Sequence, residues 1–197
     1  TYFAQVKALS WNMRSTLYAM KATGAPSRET MNLVFERLMA DNAFAVGVST
    51  GWEPNAFDGK DDAYKGKPGH DATGRYVPYF ARSEGKVGLE ALIDYDKPGP
   101  GDYYQVPKAT GKDFLTEPYS YAVGGKNVLM TSFMVPLLFD GKFLGETGVD
   151  IALDALAGDV MQLKPLGAGY VALLSQNGGI VSHPDTALLG KSLADSG

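Results

Sequence analysis

A small set of side chains in this sequence could do chemistry that an ordinary surface would not need. Tyr103 and Tyr104 stand side by side in "GPGDYYQVPK", Tyr119 and Tyr121 sit two apart in "EPYSYAV", and Glu117 lies between the pairs. Each tyrosine offers a large apolar ring and a hydroxyl that needs a partner when buried. The first pair, set among glycine and proline in what reads as a stiff loop, is either a cap on the core or the wall of a ligand pocket. Tyr119 and Tyr121 share one face if their segment is a strand. Trp52 opens a long polar stretch. Asp150 ends the apolar strand "GVDI", where an unpaired buried carboxylate costs several kcal/mol. Two things could compensate it: backbone donors of a helix starting near Leu153, as a helix cap, or a cationic ligand.

Other motifs carry little. "LLGKS" at Leu188 to Ser192 imitates the end of a phosphate-binding loop, but Asp185 stands where that motif needs glycine. "FDGKDD" at Phe57 to Asp62 lacks the alternating acids and twelfth-position Glu of a calcium loop and reads as a solvated turn. His70 and His183, the two histidines, sit in "PGHD" and "SHPD" and read as turn-stabilising side chains. No nucleophile motif, zinc-binding helix or catalytic carboxylate pair is found, so no enzyme activity and no cofactor are expected. The 197 residues carry a net charge of −4 without a Lys/Arg cluster, which argues against a nucleic-acid partner. With no cysteine, disulfides and thiolate metal sites are excluded. Apolar runs stay well short of the roughly 20 residues of a membrane span. The sequence enters helical pattern at Thr1 without a cap and stops at Gly197, so it reads as part of a longer chain.

The elements that must position these residues follow from periodicity. Val6, Leu9, Met13, Leu17 and Met20 predict a helix to about Ala22. Ser27 is an N-cap for a second helix, whose stripe is Met31, Val34, Phe35, Leu38 and Met39. "AFAVGVST" alternates as a strand, and a loop from Glu53 to Gly74 is long enough to be functional or packed as a unit. "RYVPYFAR" and "VGLEALIDY" read as strands. "VLMTSFMVPLLF" and "FLGETGVDI" are joined by Asp140-Gly141, a hairpin dipeptide. "LDALAGDVMQLK" reads as a helix, and "GYVALLS" with "GIVSHP" as another hairpin. Helices, then antiparallel strands, then a helix and more strands make an α+β pattern.

"GWEPNAFDGKD", "PGHDATGRYVPYF", "GDYYQVPK", "TEPYSY", "FLGETGVDI" and "GYVALLSQNGGIVSHP", in this order, resemble the double Cache sensor domain of bacterial methyl-accepting chemotaxis receptors. That resemblance implies an extracytoplasmic domain of a membrane-anchored receptor, with a long N-terminal helix and two PAS-like modules of curved antiparallel sheet flanked by helices. Residues 1–27 would be the helix, 28–152 the membrane-distal, ligand-binding module, and 153–197 part of a truncated membrane-proximal module. The amino-acid-binding branch has Arg-x-Trp-Tyr, Tyr-x-Asp and a late Asp. Carried over, these fall on Gly101, Tyr103 and Tyr104, on Tyr119 and Tyr121, and on Asp150. The carboxylate-clamping Arg is replaced by Gly101 and the Asp of Tyr-x-Asp by Tyr121. The resemblance therefore implies a site of Trp52, Tyr79, Tyr103, Tyr104, Glu117, Tyr119, Tyr121 and Asp150 for a small organic cation such as an amine, polyamine or quaternary ammonium. A stacked purine, a histidine-kinase sensor and a partner-binding module with a vestigial pocket are the alternatives. Two chains could pair along the first helix.

Overall fold

The computed structural model describes residues 2–195; the uncapped start at Thr1 and the end at Gly197 lie outside them. Helix α1 (Tyr2–Ala22) buries Val6, Leu9, Met13 and Leu17, spaced by three and four residues along one face. Gly24 then turns the chain at φ +73°, in the left-handed region. Helix α2 (Arg28–Asp41) starts at Ser27, whose side chain accepts from the Thr30 N–H, and buries Met31, Phe35 and Met39.

Both helices pack on a seven-stranded antiparallel sheet. Its strands are β1 (Gly47–Trp52), β2 (Pro78–Ser83), β3 (Lys86–Ala91), β4 (Phe114–Leu115), β5 (Tyr119–Val123), β6 (Lys126–Phe139) and β7 (Lys142–Ala152), in the order β3-β2-β1-β7-β6-β4, with β5 also on β6. The β6–β7 hairpin turns at Asp140 and Gly141, both at positive φ, as the dipeptide predicts. Strand alternation splits the chain's apolar content between two faces. Val48, Phe133, Val135, Val149 and Ile151 point to the helices and join their stripes in one core. Each fully buried side chain of this size contributes about 1.5–3 kcal/mol. Ser10 of α1 ties the two layers by donating its hydroxyl to the Phe133 carbonyl at 3.1 Å. The opposite face carries the tyrosines. The observed architecture is the expected α+β one, a long first helix on a curved antiparallel sheet.

Three expectations change. The stiff loop around Tyr103 and Tyr104 is a helix, α3 (Asp102–Thr110), closed at Gly111 with φ +64°. The flanking glycines and Pro107 read as loop, yet only Gly101 fits the helix start, where a Cβ would lie 2.2 Å from the Asp94 carbonyl. The solvated turn at "FDGKDD" is a buried ion-pair site: Arg28 holds Asp58 and Asp61 at 2.5 and 2.6 Å and donates to the Gly74 carbonyl at 2.8 Å. The long loop is thereby packed onto α2 as a unit, with the guanidinium 4.2 Å from the Tyr64 ring centre. Trp52 completes the helix-side core, against Phe57 and Phe139 at 5.0 and 6.1 Å. After β7 come α4 (Leu153–Met161) and a separate two-stranded sheet, β8 (Leu173–Leu174) with β9 (Ile180–Ser182).

Candidate functional site

Register determines what can gather on the tyrosine face. Gly47, Ser49 and Gly51 of β1 face Asp150, Gly148 and Glu146 of β7 across the ladder, so all six share that face. Four of the six are small, which leaves the sheet centre open to larger neighbours. A Cβ on Gly47 would meet the Tyr79 ring at 2.3 Å. One on Gly148 would meet the Met134 sulfur at 2.3 Å, and one on Gly51 would meet Glu146 Oε1 at 2.7 Å. The bare floor is therefore where Tyr79, Met134 and Glu146 lie.

Asp150 stands at one end of this floor and is 6% exposed. Ser132, opposite it on β6, donates its hydroxyl to Asp150 Oδ1 at 2.5 Å, and Tyr119 joins the chain at 2.7 Å from Ser132 Oγ. The Tyr79 hydroxyl approaches closely enough to favour the charged carboxylate but does not close a well-formed hydrogen bond. Burial pushes the Asp150 carboxyl up to about 6, with Ser132 and Tyr79 pulling it down. Among the described residues no cation pairs with it. Nor does it cap the following helix: the N-cap of α4 is Ala152, and no side chain caps that helix. The cap explanation of Asp150 is thus set aside.

Around Asp150 the rings form a wall with Tyr121 at its hub. Tyr79, Tyr119 and Tyr103 meet Tyr121 edge-on, with centroids 5.5, 6.1 and 6.2 Å apart. Helix α3 closes over this wall. Tyr103 donates to the Ile93 carbonyl at 2.6 Å, while the Tyr121 hydroxyl accepts from the Ile93 N–H at 3.0 Å. Burial pushes the Tyr121 phenol up to about 12, so it stays neutral.

At the other end of the floor sit two residues that sequence reasoning missed. Glu146 is fully buried and both carboxylate oxygens have no hydrogen-bond partner; the Gly51 N–H approaches without closing one. Burial drives its carboxyl well above the usual range, with the Asp150 charge adding to the effect. Arg75 lies nearby but is committed. It donates to the Trp52 carbonyl and to the Tyr104 hydroxyl, pairs with Glu53, and stacks 4.7 and 5.0 Å from the rings of Tyr95 and Tyr104. Tyr104 in turn donates to Glu53, which also holds Lys108 at 2.9 Å.

Of the residues expected at the site, Tyr79, Tyr103, Tyr104, Tyr119, Tyr121 and Asp150 gather on this one face. Trp52 does not, because its strand position points to the opposite core. Glu117 sits outside the wall, on the rim of a groove of about 640 Å³ that runs from solvent to Tyr103 and Tyr119. There it binds Ser175 and the Asn177 N–H of the β8–β9 hairpin. Both histidines serve turns: the ring of His70 bonds the Pro68 carbonyl at 2.8 Å, and His183 accepts from the Asp185 N–H at 3.0 Å.

The chain that carries this tyrosine face has relatives. Methyl-accepting chemotaxis protein TlpQ of Pseudomonas aeruginosa is 33% identical over 183 residues, 85% of this chain but 26% of that protein, so the chain spans about a quarter of that relative's length. The extracellular domain of mmHK1S-Z3, described as a histidine kinase, superposes with a TM-score of 0.81 at 38% identity, covering 98% of this chain and 67% of that one. The ligand-binding domain of the amino-acid chemoreceptor PctC of P. aeruginosa, in complex with GABA, shares the fold at a TM-score of 0.63 and 19% identity, covering 99% and 74%. The family described as "Methyl-accepting chemotaxis protein-like, first PDC sensor domain" matches residues 32–158. With the whole seven-stranded sheet, most of α2 and the tyrosine face inside that match, the chain belongs to this family of extracytoplasmic ligand-sensing domains.

Proposed function

We propose that this domain senses a small organic cation, bound between Asp150 and the tyrosine wall, and that binding is passed to the rest of a membrane receptor through α1. One observation carries the reading: Asp150 is a buried carboxylate with aromatic faces around it and no cation of the chain paired to it among the described residues. A protonated amine or quaternary ammonium supplies the missing charge, and each ring face adds about 0.5–2 kcal/mol of cation–π attraction. GABA, the ligand of PctC, carries a carboxylate as well as an ammonium. Here the one buried guanidinium near the wall, Arg75, is already held by Glu53, Tyr104 and the Trp52 carbonyl, and Gly101 has no room for a side chain. Those features favour amines without a free carboxylate over α-amino acids.

Signal output fits the Ser10 contact. A ligand that draws on Asp150 also draws on Ser132, and the next carbonyl along β6 is the one that Ser10 of α1 holds. Binding then biases the arrangement of α1 only through differential contacts of this kind. Thermal-shift and calorimetric titration with amines, amino acids, purines and organic acids test the reading, because a ligand stabilises the folded domain by RT ln(1 + [L]/Kd). Amines should raise the melting temperature and amino acids should not. Tight binding of ordinary amino acids with no response to any amine would overturn it.

A further inference from the structure

The two edges of the seven-stranded sheet are not alike. At one, β4 and β5 are two and five residues long, and the β8–β9 hairpin is fastened between them through Glu117. At the other, β3 runs over six residues and no strand lies beyond it. Its backbone groups divide by alternation. The Leu92 N–H donates to the Val77 carbonyl on the β2 side at 2.8 Å, so Val87, Leu89 and Ala91 turn their N–H and C=O groups outward. Among the described residues those outward groups have no partner. Sheets commonly blunt such an edge with proline, a bulge or repelling charge. Strand β3 has no proline and no bulge, and its two charges, Lys86 and Glu90, are of opposite sign. Both are exposed and join no ion pair among the described residues. Between them, a Cβ on Gly88 would meet nothing within 4 Å, so no packing inside the fold calls for glycine there. A glycine inside a strand often marks the close approach of another backbone.

We propose that the β3 edge is a contact surface for a second copy of this chain, the two strands pairing antiparallel about a two-fold axis through Gly88. The stretch "KVGLE" is complementary to itself in that register: Lys86 faces Glu90 of the other copy, Val87 faces Leu89, and Gly88 faces Gly88. Val87 and Leu89 form the hydrogen-bonded pairs, because theirs are the groups that point outward. Lys86 and Glu90 fall in the other pairs, whose side chains stand closer. A slide of two residues toward Leu92 sets Lys86 against Leu92 and Glu90 against Gly88, and both charge pairs are lost. On the helix side, Val87 and Leu89 line a groove of about 440 Å³ with Phe80 and with Leu33, which is 67% exposed on α2. The paired strand brings the other copy's Val87 and Leu89 to that groove. The Glu84–Gly85 turn of each copy comes opposite Ala91 of the other, where a groove of about 390 Å³ between residues 66–72 and Leu89–Ala91 leaves room for it. The symmetry suits domains that stand on one membrane. Ser10 and Tyr18 of α1 bond Phe133 and Leu138 of β6, so helix and strand run alongside in one direction. Strand direction turns by about 20–25° at each step of a sheet, so over the four steps from β3 to β6 it turns by roughly 80–100°. A two-fold axis normal to the sheet at β3 therefore lies close to the direction of α1, and the first helices of both copies point the same way.

Analytical ultracentrifugation of the chain over a concentration series reads the contact directly. The parent should show a reversible monomer–dimer equilibrium. Lys86→Glu and Glu90→Lys each set like charges opposite one another twice in the dimer, and each should weaken association by at least about tenfold. Both side chains are exposed, so the melting temperatures of these variants should match the parent's. The double variant, Lys86→Glu with Glu90→Lys, restores opposite charges in the same register and should bring association back to within about threefold of the parent. A parent that stays monomeric at every concentration would overturn the proposal. A dimer that neither single variant weakens would also overturn it and place the contact elsewhere, with α1 the next surface to test. A double variant that associates no better than the single ones would overturn the register on which the proposal stands.

Discussion

Asp150 makes the stability of the empty domain run against the usual acid trend. Its carboxyl is raised by burial to about 6 from an ordinary 3.8. Between those pH values the native state keeps a proton that the unfolded chain has released, so stability falls as pH rises through the window, by up to about 3 kcal/mol. Glu146 is raised as well and adds to this slope. Glu53, Asp58 and Asp71 are lowered in the folded state, so their contribution is lost as pH falls through their range and opposes the slope at its acid end. Comparison with Asp150→Asn isolates the Asp150 share. Urea melts at pH 4, 5, 6 and 7 should show a shallower decline in the variant and an equal or higher stability at pH 7. A variant that is less stable at pH 7 would make Asp150 a structural residue instead. Cation affinity of the parent should climb with pH through about 6, as the carboxylate forms, and level off above it. Asp150→Asn should lose affinity by roughly 2–5 kcal/mol.

Among the elements, the loop between β1 and β2 depends most on one side chain. Arg28 of α2 satisfies Asp58, Asp61 and the Gly74 carbonyl at once, and Asp61 also accepts from the Asn55 N–H at 2.6 Å. Arg28→Met keeps an apolar stem against Tyr64 and Tyr76 but leaves two nearly buried carboxylates without their cation. A loss of about 3–5 kcal/mol should appear in denaturant unfolding, because removal of one partner strands the other charges. Limited proteolysis should cut first within residues 53–74. The loop also carries Arg75 at its end and Glu53 at its start, and both hold Tyr104 of α3. The lid helix and the long loop are thus one mechanical unit, fastened to α2 at one end and over the tyrosine wall at the other.

Across the whole molecule, periodicity made the framework legible. The stripes of α1 and α2, the β6–β7 hairpin and the final hairpin all stand where their spacing places them. What escaped was set by partners distant in sequence. Asp58 and Asp61 read as a solvated turn because their cation lies some 30 residues earlier. Helix α3 was hidden by its own glycines and Pro107, which serve it at the cap, at the close and inside. Glu146 was available: in "FLGETGVDI" it has the same parity as Asp150, so one buried acid at that strand position points to the other. Trp52 misled for the complementary reason, since the long loop begins directly after it and only strand parity turns it to the helix core. That parity has an optical consequence. The chain has two tryptophans: Trp11 is 40% exposed on α1, and Trp52 is fully buried on the far side of the sheet from the tyrosine wall. Emission from Trp52 should shift strongly to the red when the domain unfolds, and ligand entering beneath α3 should leave it nearly unchanged. Emission of Trp52 alone, isolated by Trp11→Phe because Trp11 sits beside Ser10 on α1, therefore follows folding, and a titration that moves calorimetric heat but not that emission reports a ligand seated on the tyrosine face.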